Sequence, residues 1–358
     1  MGRILPAFVA LLLGACMTLG VIAPASAQGC SKAPPASYYD NTGRADALSG
    51  GVRMIPISTP KGTFRVWTQR IGNNPRIKVL LLVGGPAMPH NYLEAFNSWF
   101  PCAGIEFYYY DQLGSFYSDQ PKDNDLWTVP RFVDEVEQVR KALGLDKDNF
   151  YLYGHSWGGI LAMEYALKYQ QNLKGLIVSD MMASIPAYAA YAKDVLMPQL
   201  DPKALAEILR LEKEGKTDDP QYMGLLMPNW YTQHILRMPP DQWPAPVMFS
   251  IEHVNNDIYT LMQGPSEMGV SGRLEHWDVS KRLGEIEVPT LVIGARYDTM
   301  DPKYMEWMAG QVRHGRFLYC TDGSHLCMYD QQPLYMNGVL GFIEDVDQGR
   351  FPAKQNGD

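Results

Sequence analysis

The chain predicts an α/β fold, a mostly parallel central sheet into which a helical lid is inserted, and three observations carry that expectation. Short aliphatic runs alternate with helix-period segments. The alternation halts between Ile185 and Glu285. The hexapeptide Gly154-His155-Ser156-Trp157-Gly158-Gly159 stands between an apolar run, Phe150-Tyr151-Leu152-Tyr153, and an amphipathic one, Ile160 to Tyr169.

Taken in order, Val52–Thr59 and Thr63–Gln69 read as two antiparallel strands around Pro60-Lys61-Gly62. Lys78–Val83 is a continuous aliphatic run, as a strand buried on both faces of a parallel sheet requires. The pattern returns at Ile105–Tyr110, Phe150–Tyr153, Gly175–Ser179, Thr290–Gly294 and Arg316–Tyr319. Helix-period segments lie between them at Asn91–Phe100, Val129–Leu143, Gly158–Tyr169 and Lys303–Ala309. Such alternation implies right-handed crossovers and a parallel sheet.

The stretch from Ile185 to Glu285 is helix-forming, broken by prolines and rich in Met, Trp and Tyr. Inserted between two core strands, it would sit as a lid over the strand ends where Ser156 emerges. Nine of the 19 methionines fall between Met181 and Met268, which fits gap-filling in a helical core and also a pliable pocket wall. The expected organisation is a signal peptide over 1–27, core over 28–184, lid over 185–285, core again over 286–350 and a polar tail over 351–358.

At 358 residues the chain suits one large α/β unit with an insertion. Its net charge of −8 is spread without acidic or basic blocks, which excludes an electrostatic footprint for nucleic acid. A small-molecule partner is expected. No Cys/His spacing resembles a zinc site, and the chemistry argued below needs neither metal nor cofactor.

Residues 1–27 carry one charge, Arg3, then an apolar run from Ile4 to Ile22 and Ala25-Ser26-Ala27, the layout of a secretory signal peptide. Export to the periplasm or medium is expected, with no stable membrane insertion after cleavage. Leu13-Gly14-Ala15-Cys16 also resembles a lipobox, so lipidation at Cys16 is the alternative. Cleavage after Ala27 leaves Cys30, Cys102, Cys320 and Cys327, with three possible pairings. A Cys320–Cys327 bridge would close a short loop around His325; free buried thiols are the other reading.

A strand that turns at once into a helix around Gly-x-Ser-x-Gly forces the central serine into a strained bend with its hydroxyl exposed. Ser156 is therefore the expected nucleophile, with Gly154 and Gly158 giving strand and helix room to cross. A serine hydroxyl needs a base within reach and an acid that fixes the base's tautomer. Asp298 follows the run Thr290–Gly294 and His325 follows Arg316–Tyr319, so both arrive on the rim that carries Ser156. Asp301 and Asp322 are the rival acids. His155 flanks the serine but points elsewhere, and His90, His234, His253, His276 and His314 lack a strand-end context. An oxyanion needs backbone donors, expected from the amide of Trp157 and from Gly85 in the loop Gly84-Gly85-Pro86.

These residues resemble the proline iminopeptidase and L-amino-acid amidase branch of the serine α/β-hydrolases, from about Lys61 to Phe342. The marks are Gly84-Gly85-Pro86, Tyr110-Asp111-Gln112-Leu113-Gly114-Ser115 followed by Ser118-Asp119, the serine hexapeptide, and Met262-Gln263-Gly264-Pro265-Ser266-Glu267. The resemblance implies an α/β-hydrolase fold and removal of an N-terminal residue, often proline, from peptides or amides. It also implies lid glutamates that bind the substrate's free amine, with Glu267 as one anchor. Three departures stand out. Val83 and Ala87 flank the Gly-Gly-Pro where the family has histidine and glycine, and alanine is strained there if φ is positive. The second lid glutamate aligns near Pro228, with Glu252 or Asp257 as substitutes. The expectation is an exported serine aminopeptidase acting on short peptides or amino-acid amides. A carboxylesterase or lactonase with the same triad and a non-catalytic binding protein on the same scaffold are the rivals.

Overall fold

A computed structural model of the chain describes residues 33–351. The expected signal peptide, Cys16, Cys30 and residues 352–358 of the expected tail lie outside the described residues.

Eight strands form one sheet: β1 (Val52–Thr59), β2 (Gly62–Ile71), β3 (Lys78–Leu82), β4 (Glu106–Asp111), β5 (Phe150–His155), β6 (Gly175–Ser179), β7 (Thr290–Ala295) and β8 (Gly315–Cys320). Their order is β1-β2-β4-β3-β5-β6-β7-β8. The β1–β2 and β2–β4 pairs are antiparallel and all others parallel. Every residue of β4, β5, β6 and β7 is buried, as strands covered on both faces must be. The register sets His155 beside Ser179, Ser179 beside Ile293, and Ala295 beside Cys320. The carboxyl ends of β5, β6, β7 and β8 therefore finish close to level, and the loops that follow them share one rim.

The helices are α1 (Val129–Leu143), α2 (Trp157–Tyr169), α3 (Ile185–Tyr191), α4 (Pro202–Lys213), α5 (Pro220–Leu226), α6 (Ala245–Glu252), α7 (Asn256–Met262), α8 (Pro302–Gln311), α9 (Cys327–Asp330) and α10 (Gln332–Asp347). Helix α2 packs on β3, β5 and β6, and α8 packs on β7 and β8. The insertion holds α3 to α7, with π-helical turns at Ala192–Leu196 and Met227–Ile235. Its two ends meet where Ile185 N donates to Trp277 O at 2.9 Å and Val279 N to Ala183 O at 2.9 Å.

Two elements differ from the sequence reading. Asn91–Phe100 is predicted as a helix and is a 3₁₀ helix over His90–Ser98. With three residues per turn, His90, Leu93 and Phe96 align and all are buried. Helix α10 was not predicted. Its buried Tyr335, Met336, Val339, Phe342 and Ile343 have helical spacing, but Gly338 and Gly341 lower its intrinsic propensity. Gly338 is needed there, because a Cβ would lie 2.3 Å from Leu318.

The crossing of β5 and α2 depends on two missing methyl groups. A Cβ on Gly154 would sit 2.1 Å from Gly158 O, and one on Gly158 would sit 2.3 Å from Leu82 O. Both neighbours are backbone and cannot swing away. Gly154→Ala is expected to destabilise the fold by roughly 1–3 kcal/mol or more, seen as a lower urea midpoint at unchanged m.

Candidate active site

Ser156 is the residue between β5 and α2, at φ 54 and ψ −125, a conformation that L residues rarely adopt. Two bonds hold it: Ser156 N donates to Ser179 O at 3.0 Å, and its carbonyl accepts from Gly159 N at 2.7 Å. Trp157 opens α2, so its amide is among the first helical N–H groups, which lack an intrahelical acceptor. In the loop after β3, Gly84 N donates to the Tyr92 hydroxyl at 2.7 Å, so that amide is engaged and Gly85 remains the loop's candidate oxyanion donor. Gly84 and Gly85 both line the cavity on which Ser156 opens. Ala87 has φ 61 and is fully buried, so the strain that alanine brings to this loop is present.

Asp298 and His325 meet as their strand-end positions predict. The ring Nδ1–H of His325 donates to Oδ1 of Asp298 at 2.7 Å, both side chains buried. His325 lines the same cavity as Ser156. Asp301 instead caps α8 through Lys303 N at 2.9 Å, and Asp322 lies exposed in the β8–α9 loop. The Cys320–Cys327 bridge is absent: both are free, buried thiols, whereas Cys102 is disulfide-bonded. The histidine loop is held without it. Asp330 accepts from Ser324 N at 3.2 Å, Tyr297 N donates to Gly323 O at 3.0 Å, and His325 N donates to His234 O at 2.9 Å.

His155 is buried behind Ser156, where it also lines the cavity and takes part in a relay. Gly84 N donates to the Tyr92 oxygen, the Tyr92 hydroxyl donates to His155 Nδ1 at 3.1 Å, and His155 Nε2–H donates to His325 O at 2.8 Å. Burial and the nearby charge of His325 hold His155 well below the ordinary histidine pKa, so it stays neutral in that tautomer. Nothing in the sequence marks Tyr92 for this task. The motif Asp111–Ser115 and Ser118–Asp119 also serves the frame. Asp111 accepts from His90 N at 2.9 Å, Gln112 accepts from Trp157 Nε1 at 2.8 Å, and Ser118 Oγ donates to Asp111 O at 2.6 Å.

The cavity measures about 350 Å³. Its floor is core, with Gly84, Gly85, Ser156 and His325; the facing wall is the insertion, with Tyr231, Val247, Ile251, Tyr259 and Glu267. Methionines contribute Met88 and Met223 to the wall, while Met262 and Met268 are core packing. Glu267 accepts a hydrogen bond from the Tyr259 hydroxyl. Burial raises its pKa, and His325 and that bond pull it back only in part. For His325, burial acts downward, but the charge and hydrogen bond of Asp298, with the charge of Glu267, leave its pKa above the ordinary value.

Neither expected substitute for the second lid glutamate reaches the cavity. Helix α6 presents Val247, Ser250 and Ile251, and α7 presents Asn256, Tyr259 and Thr260, and neither Glu252 nor Asp257 is among the lining residues. Pro228 lines a separate surface groove with Arg237 and Pro239. Among the described lining residues the second carboxylate is Asp218, from the α4–α5 loop, where no periodic signal exists to reveal it.

The chain matches the α/β hydrolase fold family across residues 77–330 and belongs to that class. A proline iminopeptidase of Flavobacterium johnsoniae is 61% identical over 82% of this chain and 98% of its own, and one of Elizabethkingia meningoseptica is 60% identical over 83% and 100%. The chain is a member of the proline iminopeptidase family. A crystal structure of a proline iminopeptidase from Mycobacterium smegmatis superposes with a TM-score of 0.74 at 28% identity, covering 83% of this chain and 99% of that one.

Two expectations arise from this geometry. Tyr92→Phe strands His155 Nδ1 and Gly84 N–H, so the unfolding free energy should fall by about 1–3 kcal/mol, with kcat reduced and KM little changed. A base with a raised pKa places the acid limb of kcat/KM above the ordinary histidine value. In Glu267→Gln a negative charge near the imidazole is lost, which lowers the His325 pKa, and the acid limb should move to lower pH.

Proposed function

We infer that the chain is a serine aminopeptidase that removes an N-terminal proline, or another apolar first residue, from short peptides or amino-acid amides. The observation that carries this reading is the Asp298–His325 bond at the edge of a cavity that Ser156 and the lid carboxylate Glu267 share.

In this reading Ser156 Oγ attacks the carbonyl of the first residue while His325 Nε2 takes its proton, Asp298 stabilising the imidazolium. The tetrahedral oxyanion lies against the amides of Trp157 and Gly85, which are fixed before the charge develops. His325 returns the proton to the leaving amine, and water, activated by the same base, cleaves the acyl-enzyme. Glu267 receives the substrate's ammonium, whose charge offsets the cost of keeping that carboxylate ionised under the lid. Asp218 supplies further negative potential on the same wall. The 1–27 layout supports export ahead of this chemistry.

The test uses purified protein with prolyl and alanyl arylamides and an aryl ester of an uncharged acid. Ser156→Ala should abolish turnover and fluorophosphonate labelling with the fold retained. Glu267→Gln should raise KM for the arylamides by roughly tenfold or more, the worth of a charged hydrogen bond, and leave the KM of the ester unchanged. Ester turnover without arylamide turnover in the wild type would assign an esterase instead.

A further inference from the structure

Asp180 is a buried carboxyl that the mechanism above leaves unused. It follows β6 directly, at φ 52, with its amide donating to Ile293 O at 2.9 Å and its side chain fully buried. Asp298 is the charged side chain that bears most on its carboxyl. Oδ1 of Asp298 is taken by His325 at 2.7 Å and Thr299 Oγ1 at 3.3 Å. Oδ2 of Asp298 is buried with no N–H or hydroxyl donor. A bare buried carboxylate oxygen is costly, and a neighbouring acid can satisfy it only by carrying a proton.

We propose that Asp180 is a positioning residue whose un-ionised carboxyl donates to Oδ2 of Asp298 and so fixes the carboxylate that holds His325. The proposal rests on the reading of Asp298 as the histidine's acid partner. Two neighbouring carboxyls in a dry site do not both ionise, so one proton is shared between them. The surroundings decide which keeps it. Asp298 faces the Nδ1–H of His325, whereas Asp180 faces neutral groups. Ser179 Oγ donates to its Oδ2 at 2.6 Å, and Cys327 Sγ lies 3.6 and 3.7 Å from its two oxygens. His155 Nε2 is 4.0 Å away, its hydrogen already given to His325 O. Behind Ser179, hydroxyls continue through Tyr335 at 2.8 Å to Tyr153 at 2.7 Å, with Cys320 and Tyr92 completing the ionisable surroundings. No lysine or arginine is among these described neighbours. Burial, then the charge of Asp298, push the Asp180 carboxyl well above the usual range, in agreement with this placement of the proton.

The test compares Asp180→Asn with Asp180→Ala in the full-length enzyme. Asparagine keeps a neutral donor and tolerates positive φ, so its kcat should stay within about twofold of wild type with the acid limb of kcat/KM unmoved. Alanine removes the donor, and kcat should drop roughly tenfold or more with KM unchanged, since Asp180 does not line the cavity. The wild type at neutral pH should also show the infrared carbonyl band of an un-ionised carboxyl that Asp180→Asn lacks, a readout independent of turnover. Absence of that band overturns the proposal. So does an acid limb moved to lower pH in Asp180→Asn, because it means a negative charge was removed from beside His325. Asp298→Asn run in parallel separates the two ideas: if it is disabled while Asp180→Ala is not, only the role of Asp180 falls. If Asp298→Asn is fully active, the acid assignment falls and this proposal with it.

Discussion

The backbone of Ser156, held at φ 54 between a strand and a helix that cross at glycine contact distance, is the constraint on which the site depends. Among the described residues, the non-glycine positions at positive φ are Ala87, Ser156 and Asp180. Each costs on the order of 1–3 kcal/mol, and strain of that kind persists only where surrounding structure over-determines it. All three lie in the loops that follow β3, β5 and β6. The strain is therefore gathered at one end of the sheet, against the most buried strands.

Around that end the parts are connected rather than merely adjacent. The Gly84–Tyr92–His155–His325 relay joins the loop after β3 to the loop after β8. The insertion contributes to the same frame, since His234 and Ile235 carbonyls receive the amides of His325 and Leu326, and Asn255 N donates to Ala87 O at 3.1 Å. The helical stretch thus acts as more than a cover over the cavity. It fixes the histidine loop from one side while Asp298 fixes the imidazole from the other.

The core strands were legible because four of them are buried on both faces and read as unbroken apolar runs. Ser156, Asp298 and His325 were legible because strand-end position follows from those runs. The absent Cys320–Cys327 bridge was not, since spacing permits a disulfide without requiring one, and here Asp330 holds the loop instead. Glu252 and Asp257 were misplaced because α6 and α7 could not be phased against a cavity whose position was unknown. Helix α10 was overlooked because its two glycines mask a regular buried stripe.

By itself, then, the sequence determined which residues sit at the ends of strands, because burial on a sheet imposes a pattern local to each segment. Only the tertiary structure decided what those residues touch. The bond of His325 to Asp298, the path from Gly84 to His325, and the choice of Asp218 over Glu252 all join segments distant in the chain. A hydrogen bond is fixed within a few tenths of an ångström, whereas hydrophobic periodicity fixes only a face.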